Sequence, residues 1–529
     1  MAMTLEQAKN YMDSFAATLA CWDYGANGIH GVLVALNVRG IQDLSGAATA
    51  HGDIQRQTDL RNAVATASMW ALRYMRQGPD HHVPASAVEE LWTAALCYSR
   101  LQGYLTDVDN GHRAFQFEGK TVRLPYVGNR GLYAVGSYLG PAESKESTAT
   151  TPLPPDQSIR LSQWRSQGGV RVNWFDAPDW AREPYRCFAS GLFSAFPADL
   201  ATDTGIHSGF TTDDLKAYQL ELASFCLYES LIIADKDPPD TSAVAPVLPR
   251  DDFVRHMREA ANIKREAADR ITQLLTMDSA GNVDPALTPL VPLADALVPM
   301  SGIISLTPQR PMLEVLKTDA HRGLYGEIGN VLGDEGEDAV AELLAERMPN
   351  CKVGKRIRVT RKNGDDAGDL DVVLCSPSEK ALVVFETKWG ISVERSLDDD
   401  GEALPVKRQQ VRRLQREIGS EGTKVHWPIG WPNTSQFDWR WVVVTRYTFP
   451  EASGQQTHTP STSHQQLKWT LPRGASIKDL LHLICNPPIP NFTTRWETET
   501  LGQLEASVEV MNEPTWRSGH HLQTGATTD

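Results

Sequence analysis

Between Gly333 and Trp389 three short segments follow one another in an order that constrains the whole chain: Gly336-Glu337-Asp338-Ala339-Val340, then Gly368-Asp369-Leu370-Asp371-Val372-Val373-Leu374, then Val383-Val384-Phe385-Glu386-Thr387-Lys388-Trp389. The first has helical spacing. Asp338, Glu342 and Glu346 recur at i, i+4 and i+8 and form a solvent face. Glu337 aligns instead with Val340, Leu344 and Met348 on the apolar face. A lone carboxylate facing inward is costly unless something compensates it. A metal, a water on that metal, or Lys388 would do so.

The other two segments read as strands, along which side chains alternate faces. Val384, Glu386 and Lys388 share one face of the second strand. Asp369, Asp371 and Val373 share one face of the first. Asp371 adjoins the apolar run and is the preferred ligand candidate, although Asp369 points the same way and spacing alone does not separate the two. The tight Ser376-Pro377-Ser378 turn places Asp371 and Glu386 on neighbouring strands. Two carboxylates there suit a hard divalent cation, and a nearby lysine can orient water or stabilise charge on a phosphate.

The flanking pattern predicts helix 334–348, strands 352–360, 368–375 and 380–389, helix 405–418 and strand 439–446, which is αβββαβ in order. The second helix carries a basic stripe, Arg408, Arg412 and Arg416, with Gln410 turned inward beside Leu414 and Ile418. Residues 351–362 add six basic side chains, Arg356 and Arg358 among them. Together these are candidate nucleic-acid contacts. They matter because the formal net charge is −15, so a polyanion needs a local basic patch.

This ordered set resembles the PD-(D/E)xK nuclease superfamily over residues ~320–450. Its Glu-Thr-Lys-Trp signature (386–389) is most similar to nuclease-related (NERD-like) and Mrr-like restriction endonuclease domains. The resemblance implies a restriction-endonuclease-like core and Mg²⁺- or Mn²⁺-dependent hydrolysis of DNA phosphodiester bonds. By motif, Asp371 and Glu386 would be metal ligands, Lys388 the catalytic lysine and Glu337 the helix acid. Some branches carry Gln-x-x-x-Tyr on the following helix; here Leu414 stands where that tyrosine would follow Gln410. A bacterial restriction or anti-phage effector is the expected role. A nuclease-like module that binds without cutting, and a nuclease acting on RNA, are the alternatives.

The chain has 529 residues, enough for several domains at about 100–200 residues each. The expected fold is multidomain, α plus α/β, with a largely helical N-terminal half. Expected units are residues 1–140, helical with a short β element, 159–300, mainly helical, 320–490, the nuclease-like unit, and 491–529, a loose tail. Helices are predicted over 4–20 behind a Thr4/Gln7 capping box, over 60–76, 86–104 and from Thr211, and as one run from Asp251 to Met277. The helical half is the candidate for self-association or a protein partner. Seven scattered cysteines without a CxxC pair, and no apolar run of about 18 residues, point to a cytoplasmic protein without a membrane span.

Weaker signals carry less. Gly119-Lys120-Thr121 lacks the upstream glycine of a phosphate loop, His81-His82 has no third ligand, and Trp427, Trp431, Trp439 and Trp441 suit packing around a Pro-rich loop.

Overall fold

The structure is a computed structural model that describes residues 3–23, 27–49, 54–75, 84–109, 113–118, 120–127, 160–164, 174–193, 209–234, 246–277, 288–304, 322–389, 393–445, 459–486 and 493–511. His81, His82, Gly119 and the stretch 141–158 between the first two expected units lie outside these residues. Helices dominate the N-terminal half and the largest sheet lies in the C-terminal half.

The first core is built on α1 (Leu5–Phe15), α2 (Asn27–Thr49), α3 (Ile54–Tyr74) and α4 (Ala85–Asp109). The Thr4/Gln7 capping box is formed. Two short strands follow, β1 (Gln116–Glu118) and β2 (Thr121–Leu124).

The second core is built on α5 (Asp179–Phe193), α6 (Thr212–Ala234), α7 (Arg250–Ala261) and α8 (Arg265–Leu275). Thr211 and Asp214 cap α6 reciprocally. The single run expected from Asp251 to Met277 is two helices. Asn262 takes a left-handed conformation (φ 55°) and ends α7, a position asparagine tolerates.

Strand β3 (Leu248–Pro249) pairs with a hairpin of β4 (Leu290–Leu293) and β5 (Ala296–Pro299). The hairpin divides its side chains between two cores. Val291 and Val298 enter the first, Leu290 and Leu297 the second. Next comes α9 (Ser301–Ile304), where the buried Asn37 of α2 accepts a 2.9 Å hydrogen bond from Gly302 N.

The C-terminal unit holds α10 (Arg322–Arg347), β6 (Lys352–Thr360), β7 (Asp366–Ser376), β8 (Ala381–Lys388), α11 (Val393–Ile418), β9 (Lys424–Val425) and β10 (Asp438–Thr445). The expected αβββαβ order is present, though both helices start earlier than predicted. Beyond it lie β11 (Ser461–Ser463) and α12 (His464–Thr470), capped by Ser463. Helix α13 (Ile477–Cys485) follows behind a Ser476/Asp479 capping box.

The six-stranded sheet runs β11-β10-β8-β7-β6-β9. Neighbours β6, β7 and β8 pair antiparallel, while β8, β10 and β11 pair parallel. Strand alternation gives it two apolar faces. Val372, Leu374, Val383, Phe385, Val442 and Val444 meet α10, α12 and α13. Val373, Leu382, Val384, Trp441 and Val443 meet α11 through Val411 and Leu414; Leu370 joins this cluster too, so alternation along β7 is broken between Leu370 and Val372.

Residues 493–511 correct the expectation of a loose tail. They form a hairpin, β12 (Thr494–Leu501) and β13 (Leu504–Met511), and β13 pairs in parallel with β2. Leu501, Leu504, Ala506 and Val508 are buried in the first core. Arg113 fastens the junction. Its guanidinium, almost wholly buried, pairs with Asp107 at 2.9 Å and donates to the carbonyls of Leu124 and Glu509.

Among the described residues no helix is long and apolar enough to cross a membrane. Among the described residues no disulfide joins any of the seven cysteines.

Candidate active site

Paired registry places the two central carboxylates. Strands β7 and β8 pair from Val372↔Phe385 onward, so Asp371 and Glu386 are the next residues on each. Asp371 is buried, and its Oδ2 accepts from Thr387 N at 2.7 Å and from Thr387 Oγ1 at 3.3 Å. Glu386 lies opposite Val443 of β10, in the middle of the sheet and without solvent exposure. Neither of its carboxylate oxygens has a hydrogen-bond partner. Burial, and then the charge of Asp371, push the Glu386 carboxyl well above its ordinary range, against the pull of Lys407.

Lys407 of α11 is the residue that sequence reasoning missed. Its Nζ lies 3.4 Å from Asp371 Oδ2 and 3.7 Å from Glu386 Oε2, so one ammonium reaches both carboxylates. Helical spacing carried the signal, since Lys407 stands one turn before Gln410 and Val411 and two before Leu414. Lys388 ends β8 opposite Thr445, half-buried, on the Glu386 face by alternation.

Glu337 faces inward as expected, but neither metal nor Lys388 is needed to compensate it. Arg356 Nε donates to Glu337 Oε2 at 2.6 Å, and the same guanidinium reaches Asp334 at 3.0 Å and Asp338 at 3.5 Å. Burial pushes the Glu337 carboxyl up to about 7; the Arg356 hydrogen bond opposes that rise and the Asp371 charge adds to it. Arg356 is therefore a partner to Glu337 within the protein, while 41% of its side chain stays exposed. It has a left-handed backbone (φ 50°) inside β6, so strand alternation does not give its direction.

The arginine stripe is not uniform in exposure. Arg408 is buried against the sheet side of α11, beside Lys407 and Val411. Arg412 and Arg416 remain exposed and, with Gln409 and Gln415, line a shallow concavity of about 570 Å³. Gln410 is half-buried, and Arg358 is exposed at 3.8 Å from Asp366. The tryptophans pack: Trp427 and Trp431 stack at 5.2 Å and rest on the α11 side of the sheet.

Trp389 follows Lys388 directly after β8. It packs against both the second core and the α10 face of the sheet, and its ring lies over Gly336. A Cβ on Gly336 would meet ring atoms of Trp389 at 2.7 to 2.9 Å. Gly336→Ala is expected to destabilise the protein by about 1–3 kcal/mol, because the ring has to shift. Its flanking residues, Lys388 and Glu337, should shift with it. A urea titration of the variant by tryptophan fluorescence checks this; an unchanged midpoint would show that the ring moves freely.

The donor set bears on a metal. Among the described residues no three His, Cys, Asp or Glu side chains converge into a cation cage. Mg²⁺ needs less, because it keeps several waters and is commonly held by one or two carboxylates plus substrate phosphate. Asp371 and the orphaned oxygens of Glu386 meet that requirement. Comparison with protein-family models, with curated proteins and with solved structures returns no match.

Proposed function

We propose that the C-terminal unit is a PD-(D/E)xK-type nuclease domain that hydrolyses DNA phosphodiester bonds with Mg²⁺ or Mn²⁺, as the effector part of a cytoplasmic restriction or anti-phage protein. One observation carries the reading: two carboxylates from adjacent strands converge, one of them fully buried with both oxygens unpartnered. Burying such a charge costs several kcal/mol unless a cation compensates it, so the pair suits a cation better than a core.

Asp371 and Glu386 would hold the ion, which when bound supplies an acidified water and neutralises phosphate charge. The backbone N–H of Thr387 fixes the Asp371 carboxylate in place. Lys388 orients the nucleophile at the end of β8. Arg412 and Arg416, exposed on α11, hold the phosphate backbone. Glu337, held by Arg356, borders the site and keeps a proton within reach near neutral pH. The helical half is the sensing or self-associating part.

A second reading is a module that binds without cutting. The Lys407 ammonium favours it, since it already offsets both carboxylates.

The deciding experiment compares wild type with Lys388→Ala and Asp371→Ala on plasmid, linear DNA and RNA, with Mg²⁺ or EDTA. Both variants are expected to lose about 10²–10³-fold of a Mg²⁺-dependent DNA cleavage rate. Equal cleavage by all three proteins would mark a contaminant and sink the assignment. Cleavage of RNA alone would redirect it, and no cleavage by wild type would favour the binding module.

A further inference from the structure

Lys407 has a place in the site that the nuclease motif does not assign. It projects from the inward side of α11, with Val411 and Leu414 buried on the sheet beyond it. Its side chain is 18% exposed, and its ammonium is shared between Asp371 and Glu386. Glu386 receives no hydrogen bond from any described group, so this ammonium is the nearest compensating charge the structure places beside it. An ammonium on a flexible stem and a hard dication are drawn by the same pair of carboxylates, and the two repel each other at that separation.

We propose that Lys407 stands in for the metal: it holds the Asp371–Glu386 pair together while no divalent cation is bound and gives way when one enters. This rests on the metal reading above and adds regulation to it. Metal uptake and Lys407 release are one exchange, in which the carboxylates trade an ammonium for a dication. Two consequences follow. The metal-free protein keeps an ordered site, because neither carboxylate is left uncompensated. The site also binds metal more weakly than its two carboxylates alone would, because every ion has to displace a resident charge. Lys407 is thus a positioning residue that sets a threshold of metal concentration.

The test uses the full chain, wild type against Lys407→Met and Lys407→Arg. Mn²⁺ binding is measured by calorimetric titration, and melting with and without EDTA. Lys407→Met is expected to bind Mn²⁺ at least about tenfold more tightly. It should melt lower than wild type in EDTA and recover with Mn²⁺. Lys407→Arg, which keeps the charge, should restore the melting temperature in EDTA and the weaker binding. A purely structural lysine would lower melting equally with and without metal and leave affinity unchanged. If wild type binds Mn²⁺ and Lys407→Met binds no more tightly, the exchange is wrong and the metal site stands. If no protein binds Mn²⁺, the metal reading falls and the exchange with it. Should Lys407→Met fail to fold, wild type decides: acetylation of the Lys407 amine by an N-hydroxysuccinimide ester, read by mass spectrometry, should rise when Mn²⁺ binds. Unchanged labelling on Mn²⁺ binding would overturn the proposal.

Discussion

Replacing Glu386 with glutamine is expected to lower metal-dependent DNA cleavage by at least about a hundredfold while making the metal-free protein more stable above neutral pH. The two effects have one cause. Glu386 is wholly buried, and its oxygens receive no hydrogen bond. Its carboxyl is raised above the ordinary value of 4.5, chiefly by burial. The folded state therefore keeps the proton over a pH window in which the unfolded chain has lost it. Folded protein binds more protons there, so stability falls as pH rises through the window. Above it, the folded protein carries the buried charge in full. Glutamine keeps the shape and removes the charge, leaving Lys407 paired with Asp371. A gain of about 1–3 kcal/mol is the expected scale for removing a buried carboxylate whose oxygens accept no hydrogen bond, or about 2–4 °C in melting temperature per kcal/mol for a unit of this size. Melting curves of both proteins in EDTA, taken from about pH 5 to pH 9, should diverge as pH rises. Parallel curves would mean that the Glu386 carboxyl ionises in the folded protein as it does in the unfolded chain, so that burial does not raise it.

That opposition between activity and stability was legible in the sequence only in part. Alternation put Asp371 and Glu386 on adjacent strands with their acids on one face, and helical spacing turned Glu337 inward. Both are local properties, and both hold in the structure. Partners set by tertiary packing were harder. Arg356 turns toward Glu337 from a left-handed residue, where the period-two rule gives no direction. Arg408 and Arg412 stand four residues apart, yet one is buried and the other exposed. The sheet-facing arc of α11 takes in Arg408 along with Lys407, so a stripe at i, i+4, i+8 is not by itself a solvent face. Lys407 obeyed the same spacing as Leu414 but lay hidden in a run of arginines.

The C-terminal hairpin was illegible for another reason. Its apolar residues, Leu501, Leu504, Ala506 and Val508, are few and interrupted by Gly502 and Gln503. Their partner, β2, lies at the far end of the chain. Pairing across such a separation leaves no local mark. Gly502 shows how closely the turn is fitted. It has φ 58°, and a Cβ there would meet the Phe15 ring and the Tyr11 hydroxyl at 2.5 Å. Tyr11 Oη accepts from Gln503 N at 2.8 Å, so the turn is seated on α1.

A chain ending at residue 492 is accordingly expected to lose its first core while keeping its C-terminal sheet. Three of the lost side chains, Leu501, Leu504 and Val508, are almost wholly buried. Each contributes about 1.5–3 kcal/mol by burial, and Arg113 loses the Glu509 carbonyl while keeping Asp107. Set against a typical domain stability of about 5–15 kcal/mol, that loss consumes most or all of the margin. Strand β2 would also lose its only parallel neighbour among the described residues and expose Val122 and Leu124. Hydrogen exchange read by mass spectrometry separates the two units. Amides of α3 and α4 should lose protection in the shortened chain, while those of β7 and β8 stay protected. Leu504→Ala, at about 2–5 kcal/mol, should show the same pattern in a milder form. Full protection of α3 and α4 without the hairpin would mean that the first core closes on its own helices. Loss of protection in β7 and β8 as well would mean that the six-stranded sheet depends on the N-terminal half, with which it shares the packing of Trp389.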